Sequence, residues 1–401
     1  MRTRKLWIFP SERKRSLEEM YDLTLLCNKC KYCRFVFSPD ARDHRFVIQC
    51  PRGYVFRHAA YYAEGTVEIA RALIENRLEW SDTIAHILYT CTDCGHCEFW
   101  CNEAMRVYPL TLMEIMKETY VEKFGIPSYA KNVVEKLEKT KNPFGEPPES
   151  RFKWLSPEEA PPRKSEIMLF VGDAYAYRYH NVAKAAMNIL RKLGVKFGLL
   201  YEKEYHSGYL LFRLGLRDKG AEFLEHNVNA LNEVGAKKVV FLDPHDYRVF
   251  KKELREEGFK PEFEVYHFLE FIYPLIQEAK HRVKHIPLKV TYHDPCNLSR
   301  HIMPFAIWEP PREILRMAGM EVVEMPRNML NAFCCGAGGG VSFTFPDLMK
   351  IVANHRIEEA VATGVNTLVT SCPYCVWALS SASNGRIKVL DIIEIIDQML
   401  M

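Results

Sequence analysis

Thirteen cysteines dominate the chemistry available to this chain: Cys27, Cys30, Cys33, Cys50, Cys91, Cys94, Cys97, Cys101, Cys296, Cys334, Cys335, Cys372 and Cys375. Eight lie within residues 27–101, none between 102 and 295, and five between 296 and 375. An odd count argues against a closed disulfide framework. In a reducing compartment, cysteine clusters of this kind mean metal or redox chemistry.

The first region reads C-x2-C-x2-C at 27, 30 and 33, then Cys50-Pro51, then C-x2-C-x2-C-x3-C at 91, 94, 97 and 101. That is the spacing of a two-cluster ferredoxin. Three thiolates spaced by two residues wrap one corner of a cubane, and the fourth arrives from the other run. Cys27, Cys30, Cys33 and Cys101 are therefore expected to hold one [4Fe–4S] cluster. Cys91, Cys94, Cys97 and Cys50 are expected to hold the other. Two departures stand out. Sixteen residues separate Cys33 from Cys50, and Asn102 follows Cys101 where a proline is usual. Structural zinc on four thiolates is the alternative, which the doubled three-cysteine run suits poorly.

The second region reads His293-Asp294-Pro295-Cys296, then Cys334-Cys335-Gly336, then Cys372-Pro373-Tyr374-Cys375. Five cysteines exceed the needs of one tetrahedral zinc. The stretch Gly336-Ala-Gly-Gly-Gly340 suggests a backbone pressed against something bulky, with N–H groups aimed at sulfide or thiolate charge. It lacks the dinucleotide fingerprint and any Walker lysine. The set resembles the CCG (cysteine-rich) domain of heterodisulfide-reductase-type iron–sulfur proteins. It is similar to the family of D-type heterodisulfide reductases and sulfite-reductase-associated CCG subunits. The latter share one intact CCG set and the wording Tyr292-His-Asp-Pro-Cys-Asn297. The resemblance implies that Cys296, Cys334, Cys335, Cys372 and Cys375 hold a noncubane [4Fe–4S] cluster and form the catalytic site. Two sets of four and one of five would then use all the cysteines. His293 and Asp294 suit proton delivery or cluster tuning, and equally a plain hydrogen-bonded turn. Arg300 resembles a position near the family's active site. Tyr374 would shield the cluster or simply pack.

The resemblance also predicts two halves, and the sequence repeats. Ile167–Gly172 parallels Leu288–Tyr292 as an opening strand. Ala186–Gly194 parallels Pro311–Gly319 as a helix ending at glycine. Gly235–Leu242 parallels Gly364–Ser371, a strand delivering the last motif to its C-terminal end, where open α/β sheets bind ligands. The first half has lost its thiols. His206-Ser207-Gly208 stands for Cys334-Cys335-Gly336, and Asp243-Pro244-His245-Asp246 for Cys372-Pro373-Tyr374-Cys375. Asp173 or Ala174 stands for Cys296. Such a set does not suit an iron–sulfur cluster. A metal site on His206, Asp243, His245 and Asp246 is one reading, and packing or substrate contact the other.

The expected fold class is α/β with an α-helical ferredoxin-type domain. Residues 1–125 form the two-cluster module, opening with a basic leader over 1–20. Thr66–Asn76 has the helical period, with Val67, Ile69, Ala70, Leu73 and Ile74 apolar. Residues 126–165 read as a proline-rich linker, with Asn142-Pro-Phe-Gly145 set against the clusters. Residues 166–286 are a degenerate CCG half without a cluster, and 287–401 the intact half. Glu321–Met325 reads as a buried strand and Val389–Met401 as an amphipathic core helix.

Composition bounds the rest. With 48% hydrophobic and 26% charged residues over 401, the chain has material for a sizeable core. A net charge of +3 makes no case for nucleic acid. No apolar run reaches 18 residues and the N-terminal run is too short for a signal peptide, so the protein is expected in the cytoplasm. The resemblance implies the catalytic iron–sulfur subunit of a heterodisulfide-reductase-like complex. Electrons would pass from a partner through two cubanes to the noncubane cluster, where a disulfide is reduced or formed in two one-electron steps. With no haem, flavin or nicotinamide motif here, the expected donor is a membrane cytochrome b-type or other redox subunit, holding the protein at the membrane face. The alternative is an electron carrier beside a flavoprotein, as in lactate and glycolate oxidase complexes.

Overall fold

The computed structural model describes residues 16–36, 43–105 and 107–401. The basic residues Arg2, Arg4, Lys5, Arg13, Lys14 and Arg15 lie outside the described residues. The end of the expected leader does not: Leu17 and Met20 are buried in the core.

The N-terminal module is helical. Helix α1 (Pro51–Phe56) starts with Cys50 as N-cap and Pro51 in its first turn, where a fixed φ and a missing N–H suit helix entry. Helix α2 (Ala63–Ile74) turns Val67, Ala70 and Leu73 inward. Helix α3 (Asp82–Tyr89) is capped by Ser81, whose hydroxyl accepts from the Ile84 N–H at 3.4 Å. Helix α4 (His96–Met105) carries Cys97 and Cys101, the last two cysteines of the second run, and α5 (Pro109–Phe124) follows it. The Glu98 carboxylate accepts from the Leu110 and Thr111 N–H groups, each at 2.8 Å, and so caps α5. The stretch expected as a linker holds a further helix, α6 (Ser128–Thr140), with Ala130, Val133, Val134 and Leu137 buried. Its prolines all lie outside the helix, at 127 and from 143 onward, and an apolar stripe at 3.6-residue spacing prevailed over the composition.

Two parallel sheets follow. The first has strand order β1 (Ile167–Phe170), β2 (Lys238–Phe241), β3 (Glu264–His267). The second runs β5 (Glu321–Val322), β4 (Lys289–His293), β6 (Thr367–Thr370), β7 (Lys388–Asp391). β1, β2 and β3 thus repeat β4, β6 and β7. The lone parallel bridge Met168–Gly198 stands where β5 pairs with β4. Both third strands end in the same device. His267 and Asp391 each cap the next helix, and Glu270 and Glu394 reach back to the cap N–H.

Two expectations are corrected here. Only Glu321 and Val322 of the 321–325 segment pair as strand, and Glu321 is exposed. The C-terminal tail opens as β7, because β6 offers a free edge to Lys388–Asp391; its helix covers only Ile392–Met399.

Buried ion pairs tie the module to the first half. Arg213 reaches Glu114 of α5, Glu253 at 2.5 Å and Asp93 at 3.5 Å. Arg248 reaches Asp93 at 2.5 Å. All five side chains are nearly solvent-free. Removing one partner from such a set strands a buried charge, at a cost of roughly 3–5 kcal/mol. Arg213→Met should therefore lower thermal stability by several degrees. Glu321→Gln, which opens the exposed Lys289–Glu321 pair, should shift it by less than about 1 kcal/mol. Thermal unfolding of both variants checks this.

Candidate metal centre

Strand ends and helix starts bring the five C-terminal cysteines together. β4 ends at His293, and the next residue, Asp294, is held by Arg312 at 2.7 and 2.9 Å and by the Met329 N–H at 2.8 Å. This fixes the turn that presents Cys296. Cys372 follows β6 and caps the helix Pro373–Ser383, its sulfur 3.4 Å from the Cys375 N–H. The Gly336 N–H lies 3.3 Å from the Cys334 sulfur, and the Cys375 and Cys335 sulfurs are 3.3 Å apart. Cys334, Cys335, Cys372 and Cys375 are buried, Cys296 half-buried, and none forms a disulfide.

The electrostatics favour thiolate at two of these positions. Hydrogen bonds from the Cys296 and Cys335 thiols, joined by the Gly336 N–H, outweigh burial and hold Cys334 well below the ordinary thiol range. Burial pushes Cys372 up, yet Cys375 and His245 bring it down to about 6. Five convergent soft donors with N–H groups directed at their sulfurs fit an iron–sulfur cluster and not a hard cation.

The glycine stretch does something unforeseen. A Cβ at Gly338 would lie 2.4 Å from the Thr92 carbonyl oxygen, and one at Gly339 2.2 Å from that of Cys91. The loop that carries Cys334 and Cys335 therefore presses on the backbone of the Cys91–Cys97 run. Arg300 strengthens the joint: its Nε donates to the Cys94 carbonyl at 2.7 Å, its Nη1 to those of Leu330 and Ala332, both at 2.8 Å. Arg248 spans from Asp93 to the Asn297 side chain, at 3.3 Å, beside Cys296. On the other flank Gln49, next to Cys50, donates to the Asn331 and Ala332 carbonyls at 2.8 and 3.0 Å.

Cys50, Cys91, Cys94 and Cys97 line one cavity together with Cys33. Burial, then the charges of Cys27 and Cys30, raises the Cys101 thiol to about 12. Cys30 is exposed and Cys27 half-buried. Asn142 is fully buried, its side chain bonded to four backbone groups of residues 140–146. It sets Phe144 against Phe343, which in turn meets Tyr374.

His293 has a defined state. The Arg356 Nε donates to its Nδ1 at 3.1 Å, and burial followed by the Arg356 charge keeps the ring neutral. One of its nitrogens lies within 4.8 Å of the Cys335 and Cys375 sulfurs. With Nδ1 accepting from Arg356, the ring N–H is on Nε2.

The set His206, Asp243, His245 and Asp246 does not gather as one site among the described residues. His206 Nδ1 accepts from the Gly208 N–H at 3.0 Å, and burial holds its pKa down to about 3. Asp173 is engaged by Arg151 at 2.6 Å. Asp243 and His245 instead meet Cys372 of the other half, with ligand atoms all within 4.8 Å. Burial opposes charge on His245, but Asp243 and Cys372 raise it to about 10. No spacing in the sequence points to this cross-half group. Only the repeat does, since it turns the C-terminal edges of both sheets to one side of the joint.

Gly339 has φ of +66° and no room for a Cβ, whereas Gly364 has φ of +79° and nothing within 4 Å. Gly364→Ala should cost about 1–2 kcal/mol through backbone strain alone. Gly339→Ala should cost more and lower bound iron. Melting temperature and iron content of both variants test this.

The cysteine-rich CCG domain model matches residues 167–246 and 290–380. The D-type component of the dihydromethanophenazine:CoB–CoM heterodisulfide reductase of Methanosarcina mazei is 35% identical over 84% of this chain and 82% of that protein. A probable iron–sulfur-binding oxidoreductase, FadF, of Bacillus subtilis is 30% identical over 86% of this chain but 52% of its own length. The EtfAB:quinone oxidoreductase of Syntrophomonas wolfei is 28% identical over 80% of this chain and 48% of its own.

Proposed function

The chain belongs to the D-type heterodisulfide reductase family of CCG-domain iron–sulfur oxidoreductases, and from that premise we propose that it is the catalytic subunit of a complex acting on a disulfide/thiol couple. One observation carries the reading: five cysteines converge where their loop touches the Cys91–Cys97 run. When bound, the clusters supply one-electron transfer along the chain and, at the five-cysteine site, cleavage or formation of an S–S bond in two such steps.

The residues have separate tasks. Cys27, Cys30, Cys33 and Cys101 would hold the cubane nearer the surface, and Cys50, Cys91, Cys94 and Cys97 the inner one. Cys296, Cys334, Cys335, Cys372 and Cys375 would hold the noncubane cluster. Arg300 and Arg248 keep the two inner sites in register. His293, held at its Nδ1 by Arg356, would serve proton delivery or cluster tuning. The four units proposed are the module 1–125, the connecting segment 126–165 and the halves 166–286 and 287–401. Among the described residues no helix is long and apolar enough to cross a membrane. A membrane cytochrome b-type subunit, which would hold the protein at the cytoplasmic face, is the partner proposed. The similarity to FadF and to EtfAB:quinone oxidoreductase favours a second reading, an electron carrier beside a flavoprotein.

Low-temperature EPR of anaerobically purified protein separates the two. Disulfide chemistry predicts about 12 irons and a paramagnetic signal that appears when a thiol is added to oxidised protein. Cys334→Ser should abolish that signal and leave the cubane signals. About eight irons with cubane signals alone would favour the carrier.

A further inference from the structure

The half without cysteines is not idle ballast beside the cluster site. Its motif strand β2 ends at Phe241, and Asp243 caps the helix that follows, accepting from the His245 main-chain N–H at 2.9 Å. The same carboxylate oxygen lies 2.8 Å from His245 Nδ1. The imidazole is wedged edge-on between Tyr209, at 4.6 Å, and Tyr374, at 4.8 Å. Tyr374 belongs to the opposite half and sits between the cysteines Cys372 and Cys375. The ring is thus fixed on three sides, and the Asp243 oxygen, a ring nitrogen and the Cys372 sulfur lie within 4.8 Å of one another, all buried.

We infer that Asp243 and His245 form a hydrogen-bonding pair against the Cys372 sulfur, supplied by the degenerate half, that sets the reduction potential of the cluster Cys372 helps to hold. The inference rests on the five-cysteine reading above. Its physical basis is general. A donor at a ligand sulfur withdraws electron density, and the reduced cluster, which carries more negative charge, gains more than the oxidised one. The potential therefore rises. Asp243 acts through the ring by fixing its orientation, as carboxylates do for histidines around metal sites. Both are positioning residues. The loss of thiols in this half would then have exchanged a cluster for a tuning group at the neighbouring one.

The test is a redox titration followed by EPR on full-length, iron-replete protein with thiol present. His245→Phe should move the midpoint of the thiol-dependent signal to lower potential and leave the cubane midpoints in place. His245→Gln, which keeps a donor, should fall between His245→Phe and the unaltered protein. His245→Gln decides the matter if the phenylalanine variant fails to retain iron: its midpoint should still lie below that of the unaltered protein. An unmoved midpoint in His245→Phe or, failing that, in His245→Gln overturns the inference and reduces the pair to packing. A thiol-dependent signal missing from the unaltered protein is a different result: it overturns the five-cysteine reading, and this inference with it.

Discussion

Two carbonyl oxygens, those of Cys91 and Thr92, lie where the side chains of residues 339 and 338 would be. The arrangement of both inner cysteine sites depends on that contact. Backbone can approach backbone so closely only at glycine. The approach puts the loop bearing Cys334 and Cys335 directly on the run bearing Cys91, Cys94 and Cys97. Two cysteine sites from distant parts of the chain therefore meet with no side chain interposed along that stretch. In the proposed relay such a joint would keep its geometry through each change in cluster charge.

The surrounding polar network makes the joint rigid. Arg300 donates to the Cys91–Cys97 run and to the segment before Cys334 at once. Arg327, paired with the buried Glu359, donates to the Ile48 carbonyl two residues before Cys50, at 2.7 Å. Arg248 bridges Asp93 and Asn297 from the degenerate half. Each arginine carries five donors in a rigid planar fork that serves several carbonyls or carboxylates at fixed angles, where a lysine offers a rotatable point charge. The degenerate half thus contributes twice, with Arg248 bracing the joint and His245 facing Cys372. The repeat explains how it can. Duplicated sheets open at matching C-terminal edges, so residues at equivalent positions come to face one another.

Much of this is legible in the sequence because iron–sulfur ligation imposes spacing. The cysteine intervals mark both regions, and the repeat of β1–β2–β3 in β4–β6–β7 shows through its strand and glycine pattern. What escapes is whatever depends on long-range packing. The helix Ser128–Thr140 hides behind flanking prolines. Strand β7 takes residues that an amphipathic pattern assigns to helix. The glycine run suggests a backbone facing a cluster, whereas Gly338 and Gly339 face a backbone more than 240 residues away in the sequence. Arg248, Arg300 and Arg356 are fully buried, yet arginine gives no periodic signal of burial, since its usual place is the surface. His245 is visible as a residue but not as a neighbour of Cys372.

The proposed arrangement brings an inner cubane and a five-thiolate cluster into contact within one chain. Anomalous scattering at the iron edge from crystals grown without oxygen would reveal it. Three iron centres are expected. One lies among Cys50, Cys91, Cys94 and Cys97, and a second across the Gly338–Gly339 joint, among Cys296, Cys334, Cys335, Cys372 and Cys375. The third, at Cys27, Cys30, Cys33 and Cys101, lies nearer the surface. Iron confined to the N-terminal module of a fully loaded protein, with the five C-terminal cysteines free or bound to zinc, would contradict it.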